Sequence, residues 1–293
     1  MIEFEFNREV YALPENILGE NDCTYTISEQ LGKGGNGIVF ECENAATGEI
    51  FALKILINPK YPRSQRFQRE IKVISCLSHP HIITYITHGN MSVIRKHSSS
   101  NLRNLNNQQK CIQPFVVMRK ADSNLREFLT NNLSQIRFED YYGQFVGLTR
   151  ALEQLHSEAR AIHRDIKPDN ILISGDIWQI SDFGLCAQLE GEEKHLTRAD
   201  EAVGPRYWMS PEAVSKAMGL ADEINCCSDL FQLASVFWFV VTHRPPIGIL
   251  TIDDWSGPPS LGKLLLETLQ HNSSRRPSST AEFLKSLEDI KFA

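Results

Sequence analysis

The chain has 293 residues, 42% of them hydrophobic, and a formal net charge of -6 with its lysines and arginines scattered. That length suits one large domain or a two-lobed unit with a sizeable core, and the charge argues against nucleic acid as the main partner. The seven cysteines show no metal-ligand spacing, Met1 to Val10 lack a signal-type apolar segment, and no apolar run approaches the ~18 residues of a membrane span, so a reduced, cytoplasmic protein is expected.

Residues 1–24 read as an N-terminal extension. Ile2, Phe4 and Phe6 alternate with Glu3, Glu5 and Asn7, the period of a half-buried strand, and a tail with no role of its own fits them equally. Residues 25–31 read as a strand running into Gly32-Lys33-Gly34-Gly35-Asn36-Gly37-Ile38-Val39. Where no Cβ intervenes, backbone N–H groups can approach phosphate oxygens closely. A plain hairpin turn or a dinucleotide site would use the same glycines. The dinucleotide site needs a helix next, whereas residues 38–43 are strand-forming. Residues 50–57 form another strand, containing Phe51-Ala52-Leu53-Lys54. Residues 63–77 have helical spacing, with Phe67, Ile71, Ile74 and Leu77 on one face and Glu70 on the middle turn. His79 and His81 follow as turn and packing residues, without a partner spaced to make them metal ligands. Residues 89–113, rich in Asn, Ser and Gln, read as a flexible polar insertion. Residues 115–118 then form a buried strand ending at Met118 and leading into Arg119-Lys120-Ala121. Asp122 or Ser123 is placed to cap a short helix over 124–130.

Residues 139–158 form a long amphipathic helix with Tyr142, Phe145, Leu148, Leu152 and Leu155 on its apolar face. It delivers the chain to Ile162-His163-Arg164-Asp165-Ile166-Lys167-Pro168-Asp169-Asn170. A hairpin over 171–180, turning at Gly175-Asp176, brings in Asp182-Phe183-Gly184. A polar loop between buried strands accounts for His163-Arg164-Asp165, but not for Asn170 and Asp182 at their offsets. Further on come Ser210-Pro211-Glu212, Asp229 at the head of an apolar helix over 230–242, and a proline-rich stretch over 244–259. Closing helices over 261–270 and 279–290 flank Arg276.

Taken in order, these motifs resemble those of eukaryotic-type protein kinases over most of the chain: the three glycines, the Lys54 strand, the His-Arg-Asp loop, Asp-Phe-Gly and Ser-Pro-Glu. The resemblance implies an α+β, bilobal protein-kinase-like fold. A small antiparallel β lobe over 25–121, interrupted by the 89–113 insertion, would precede a larger, mainly α lobe over 122–293. It implies ATP and Mg²⁺, with Mn²⁺ as the alternative ion. Gly32, Gly34, Gly37, Val39, Ala52, Met118, Arg119 and Ala121 would surround the nucleotide. Lys54, paired with Glu70, would hold its phosphates. Asp165 would accept the hydroxyl proton, Lys167 would meet the transferring phosphoryl group, and Asn170 and Asp182 would bind the metal. Asp229 would tie its helix to the catalytic loop, and Arg276 would pair with Glu212. Arg119 stands where the family usually has an acidic residue.

The same resemblance implies a protein substrate, autophosphorylation, and regulation through Arg164 and a phosphate on Thr197; acidic neighbours such as Glu192 and Glu193 could instead supply that charge. For the acceptor, the motifs diverge. Lys167 resembles the serine/threonine class. Pro205-Arg206-Tyr207-Trp208 resembles a tyrosine-kinase segment, with Pro205 and Trp208 as substrate-selecting residues. Lys167 acts on the phosphoryl group itself, so serine/threonine phosphorylation is expected, with tyrosine or dual specificity and a catalytically weak scaffold as alternatives.

Overall fold

The computed structural model describes residues 1–34, 37–57, 63–96, 108–132, 138–189 and 207–290. The chain divides into two compact units, Met1–Ile71 with Thr84–Lys120, and Lys72–Ile83 with Ala121–Ala293. The first is built on an antiparallel sheet and the second is mainly helical, so the expected α+β class holds. Among the described residues, no helix is long and apolar enough to cross a membrane.

The strands of the first unit are β1 (Ile2–Phe6), β2 (Glu9–Leu13), β3 (Asn16–Leu18), β4 (Thr24–Gly34), β5 (Gly37–Asn44), β6 (Ile50–Ile55), β7 (Tyr85–Lys96) and β8 (Gln108–Arg119). They form one sheet in the order β1-β2-β7-β8-β6-β5-β4-β3. Residues 1–24, expected as an extension, thus supply three of its strands. Asn7 and Arg8, at φ 51 and 66, make the left-handed two-residue turn that suits the twist of a β1–β2 hairpin. The stretch expected as a flexible insertion is regular strand wherever it is described, with β7 and β8 paired from Asn90↔Pro114 out to Lys96↔Gln108. This longer ribbon gives β2 its partner, through Val10↔Lys96 and Ala12↔Ile94. Residues 97–107 lie outside the described residues.

Alternation along these strands turns one set of side chains into a single core, including Phe4, Phe6, Tyr11, Leu13, Phe40, Leu53, Met91, Val93 and Phe115. Burying each such side chain contributes about 1.5–3 kcal/mol. Phe4 stacks on Tyr11 at 5.4 Å and meets Phe40 edge-on at 5.5 Å, so the curled sheet brings β1 against β5. The helix α1 (Arg63–Ser75) packs Phe67 against Leu56 and Val116.

The second unit contains β9 (Ser123–Asn124), α2 (Leu125–Asn132), α3 (Phe138–Ser157), β10 (Ala161–Ile162), β11 (Ile171–Ser174), β12 (Ile177–Ile180), β13 (Ala187–Gln188), α4 (Pro211–Ala217), α5 (Cys226–Thr242), α6 (Pro259–Thr268) and α7 (Thr280–Glu288). The cap of α2 is neither Asp122 nor Ser123. Asn124 accepts from the Glu127 N–H at 3.0 Å, because the helix begins one residue later than expected. Asp122 instead accepts from Gly175 N at 2.8 Å and steadies the β11–β12 turn. Phe145 of α3 stacks on Phe237 of α5 with centroids 3.8 Å apart. A reciprocal box between Asn225 and Ser228 starts α5, satisfying donors at the helix end. The pairing of β10 with β13 frames the loop between β10 and β11.

Candidate active site

In the first unit, sheet register gathers the expected nucleotide residues. Directly paired residues share a face, and so do residues two apart on one strand. Val39 pairs with Lys54, and Ala52 pairs with Met118. Val39, Ala52, Lys54 and Met118 therefore line one face, while Phe40, Leu53 and Val117 fill the core on the other. Lys54 is buried and its ammonium bonds the buried carboxylate of Glu70 on α1. A buried ammonium needs such a counter-charge, so the pair fixes the lysine's direction.

The three glycines differ in what holds them. Gly37 has φ 144, and a Cβ there would collide with the Ile55 carbonyl oxygen. Gly32 and Gly34 have neither constraint, since open space lies where their Cβ atoms would sit. Packing within the protein does not demand glycine at those two positions. Close approach of phosphate oxygens to the backbone would.

Arg119 fits the strand it ends. It pairs with Phe51 in register, donates its backbone N–H to Thr84 O at 2.9 Å, and its guanidinium bonds Glu49. Lys120 donates to Glu41 at 2.6 Å. The unexpected basic residues at this point are neutralised by carboxylates of their own sheet. The division between the two units falls between Lys120 and Ala121.

The second unit gathers the expected catalytic residues. Asp165 is buried, and Lys167 Nζ lies 3.0 and 3.1 Å from its two carboxylate oxygens. Asn170 donates through Nδ2 to Asp165 Oδ2 at 2.8 Å and to the Asp165 carbonyl at 2.9 Å. Burial pushes the Asp165 carboxyl above its usual range and the nearby Asp182 adds to this, against the pull of Lys167.

The backbone of this loop is held from beneath. Asp229, fully buried at the head of α5, accepts from His163 N at 2.6 Å and Arg164 N at 2.8 Å. Gln232, one turn on, accepts from Ile166 N at 3.1 Å. Three bonds from one helix therefore fix the amides of residues 163, 164 and 166, and they hold Arg164 at φ 72, a costly angle for a residue with a Cβ. His163 accepts at Nδ1 from Asp165 N at 3.3 Å and so donates from Nε2 to Ser181 O at 3.1 Å. Burial lowers its proton affinity, consistent with that neutral form.

His156, on α3, was not singled out in the sequence, although it lies one turn beyond Leu152 on the apolar face. Its Nε2 meets Asp229 Oδ2 at 2.9 Å and its Nδ1 meets Thr280 Oγ1 at 2.6 Å. Burial alone would depress the imidazole, but Asp229 and Cys226 outweigh it and lift the value to about 9. Arg276 makes the expected pair with Glu212, two parallel bonds at 2.8 and 2.9 Å, and Ser228 adds a third at 2.6 Å.

Arg164, itself buried, borders a cavity of about 200 Å³ shared with Lys216 and Glu223. Thr197 and Pro205 lie outside the described residues. Trp208 turns inward, only 3% exposed, with its ring edge-on to Phe239 at 5.4 Å. It anchors the chain to α5.

The donors available to a metal are oxygens. Because the Asn170 amide spends its nitrogen on Asp165, its remaining polar atom is the carbonyl oxygen. Asp182, near enough for its charge to act on Asp165, supplies a carboxylate. An amide oxygen and a carboxylate suit Mg²⁺, which takes few protein ligands and completes its shell with water and phosphate. Mn²⁺ accepts the same donors.

A family model described as protein kinase domain matches residues 25–287. A probable serine/threonine-protein kinase of Dictyostelium discoideum is 29% identical over 76% of this chain and 40% of its own length. The serine/threonine-protein kinase max-2 of Caenorhabditis elegans is 28% identical over 80% of this chain and 31% of its own. The serine/threonine-protein kinase PAK 1 of Mus musculus is 30% identical over 68% of this chain and 32% of its own. The matched stretch is therefore well under half of each of these relatives.

Proposed function

The chain belongs to the protein kinase family, and on that premise we propose that it transfers the γ-phosphoryl group of ATP to serine and threonine hydroxyls of protein substrates, its own among them. The observation that carries this reading is the Asp165 carboxylate, buried and held between Lys167 and Asn170 on a loop pinned to Asp229. Asp165 accepts a hydrogen bond from the acceptor hydroxyl, aims its oxygen lone pair, and takes the proton as the new oxygen–phosphorus bond forms. The bond from the γ-phosphorus to the bridging oxygen breaks, and ADP leaves with that oxygen. Lys167 sets a positive charge beside the carboxylate, where the transferring group gathers negative charge. Lys54, aligned by Glu70, orients the nucleotide phosphates. Asn170 and Asp182 would hold Mg²⁺, which supplies charge neutralisation on those phosphates. Most of the rate comes from positioning and electrostatics, because no covalent enzyme intermediate is needed.

Contact of Lys167 with Asp165 supports the serine/threonine assignment, as do the names of the relatives. A cytoplasmic location belongs to the proposal and rests on the odd cysteine count, which suits reduced thiols. The test is incubation of purified protein with γ-labelled ATP and a serine/threonine peptide library, with and without Mg²⁺, followed by phosphoamino-acid analysis. Metal-dependent phosphoserine and phosphothreonine are expected. Phosphotyrosine alone would overturn the acceptor assignment, and tight ATP binding without transfer would favour a scaffold.

A further inference from the structure

The end of β4 that carries Gly32 and Gly34 is lightly held, for reasons visible in the sheet. β3 pairs with β4 from Thr24 to Thr26, so among the described residues the later half of β4 has β5 as its only strand neighbour. The β4–β5 register also shifts twice, between Ile27 and Gln30 and between Gln30 and Gly32. Gly32 and Gly34 add backbone freedom, with open space where their Cβ atoms would sit.

The N-terminal hairpin reaches this soft segment from outside. Lys33 stands between Gly32 and Gly34, and its Nζ donates to the Glu5 carbonyl oxygen on β1 at 3.0 Å. The same ammonium lies over the Phe6 ring, 5.3 Å from its centroid. Phe6 is buried, and its neighbour Phe4 is wedged against Phe40 of β5, so β1 offers a firm surface. The hairpin is anchored elsewhere, by β2–β7 pairing and by ion pairs from Arg95 to Glu9 and Lys96 to Glu3. One side chain, held at two points by a footed hairpin, thus restrains the two glycines that flank it.

We infer that the β1–β2 hairpin is a built-in strut for the Gly32–Gly34 end of β4, and that Lys33 is a positioning residue that sets the backbone at these two glycines for nucleotide phosphates through Glu5 and Phe6. The nucleotide part rests on the kinase reading; the strut itself does not. Because the ammonium is engaged by β1, Lys33 acts through the backbone conformation at Gly32 and Gly34.

Three variants of the full chain test this. Lys33→Met keeps the stem and removes the donor and charge. Phe6→Leu keeps an apolar side chain and removes the aromatic face without changing charge. Lys33→Arg retains both contacts and should restore wild-type behaviour. The first readout is amide hydrogen exchange of the nucleotide-free protein in peptides covering residues 29–40. Lys33→Met and Phe6→Leu should exchange about three- to tenfold faster there, with the α3 and α5 amides unchanged. The second is steady-state kinetics, where KM for ATP should rise by a similar factor while kcat stays within about twofold. Wild-type exchange in both variants would overturn the strut. A raised KM in Lys33→Met without faster exchange would overturn it too, by assigning Lys33 to direct phosphate attraction. A wild-type protein that binds no ATP would count against the proposed function, and the exchange measurement would still decide the strut.

Discussion

His156 and Asp229 form a buried ion pair, with Nε2 of the ring 2.9 Å from Oδ2 of the carboxylate that also holds the His163 and Arg164 amides. The loop that carries Asp165 therefore rests on a carboxylate whose own counter-charge can be titrated. The folded imidazole is lifted to about 9 from 6.5, so folding takes up a proton between those values. The stabilisation is fully present below pH 6.5 and is lost as pH rises through about 9. It amounts to at most about 3 kcal/mol. Urea unfolding at pH 6.5 and 9.5 should show a decline in the wild type that His156→Gln flattens. An equal decline in both proteins would remove His156 from this role.

Asp165→Asn keeps the shape of the side chain and removes its ability to take a proton. Transfer should fall by about 10²- to 10⁴-fold, the usual worth of a positioned general base. Burial already disfavours the charge on Asp165, so stability should change by no more than about 1 kcal/mol. Single-turnover transfer and thermal unfolding on the same sample check both halves. Undiminished autophosphorylation, with contaminating kinase excluded, would falsify the assignment.

Arg276→Met should be among the most destabilising single changes. It leaves the buried Glu212 carboxylate with Ser228 and no counter-charge. Breaking one partner from such a pair costs about 3–5 kcal/mol. The double variant Arg276→Met/Glu212→Leu should recover part of that loss in denaturant unfolding, because no uncompensated charge remains.

The glycines should separate by function. Gly37→Ala meets both a positive φ and the Ile55 carbonyl, and should lower stability by about 1–3 kcal/mol. Gly32→Ala and Gly34→Ala meet neither, and should leave unfolding nearly unchanged while weakening ATP binding. Calorimetric titration with ATP beside thermal unfolding would show it; an equal loss of stability at all three positions would mean that the turn is shaped by folding alone.

Much of the site was legible because its chemistry demands particular residue types at fixed offsets. That Asp165 and Asn170 come together, and that Glu212 pairs with Arg276, could be expected from one dimension, because few side chains suit those positions. His156 escaped because it closes an apolar helix face where a histidine looks like an end residue. Gln232 escaped because a buried amide inside an apolar run carries no motif. The N-terminal strands were only half legible: alternation announces a strand, but it does not say whether an edge exists to receive it. That edge is β7, whose buried Gly89, Met91 and Val93 do alternate, beneath a composition dominated by Asn, Ser and Gln.

The anchoring of β2 on β7 also sets a timetable. Glu9 and Arg95, which join them, are 86 residues apart in the chain. At ribosomal speeds of about 5–20 residues per second, β1 and β2 wait roughly 4 to 17 seconds for their partner to be made. During that interval the hairpin is a nascent two-stranded ribbon, with Phe4, Phe6, Tyr11 and Leu13 facing water in place of a core. The hairpin is thus made well before the strand that receives it, and Lys33 on β4 is synthesised before its support on β1 is anchored.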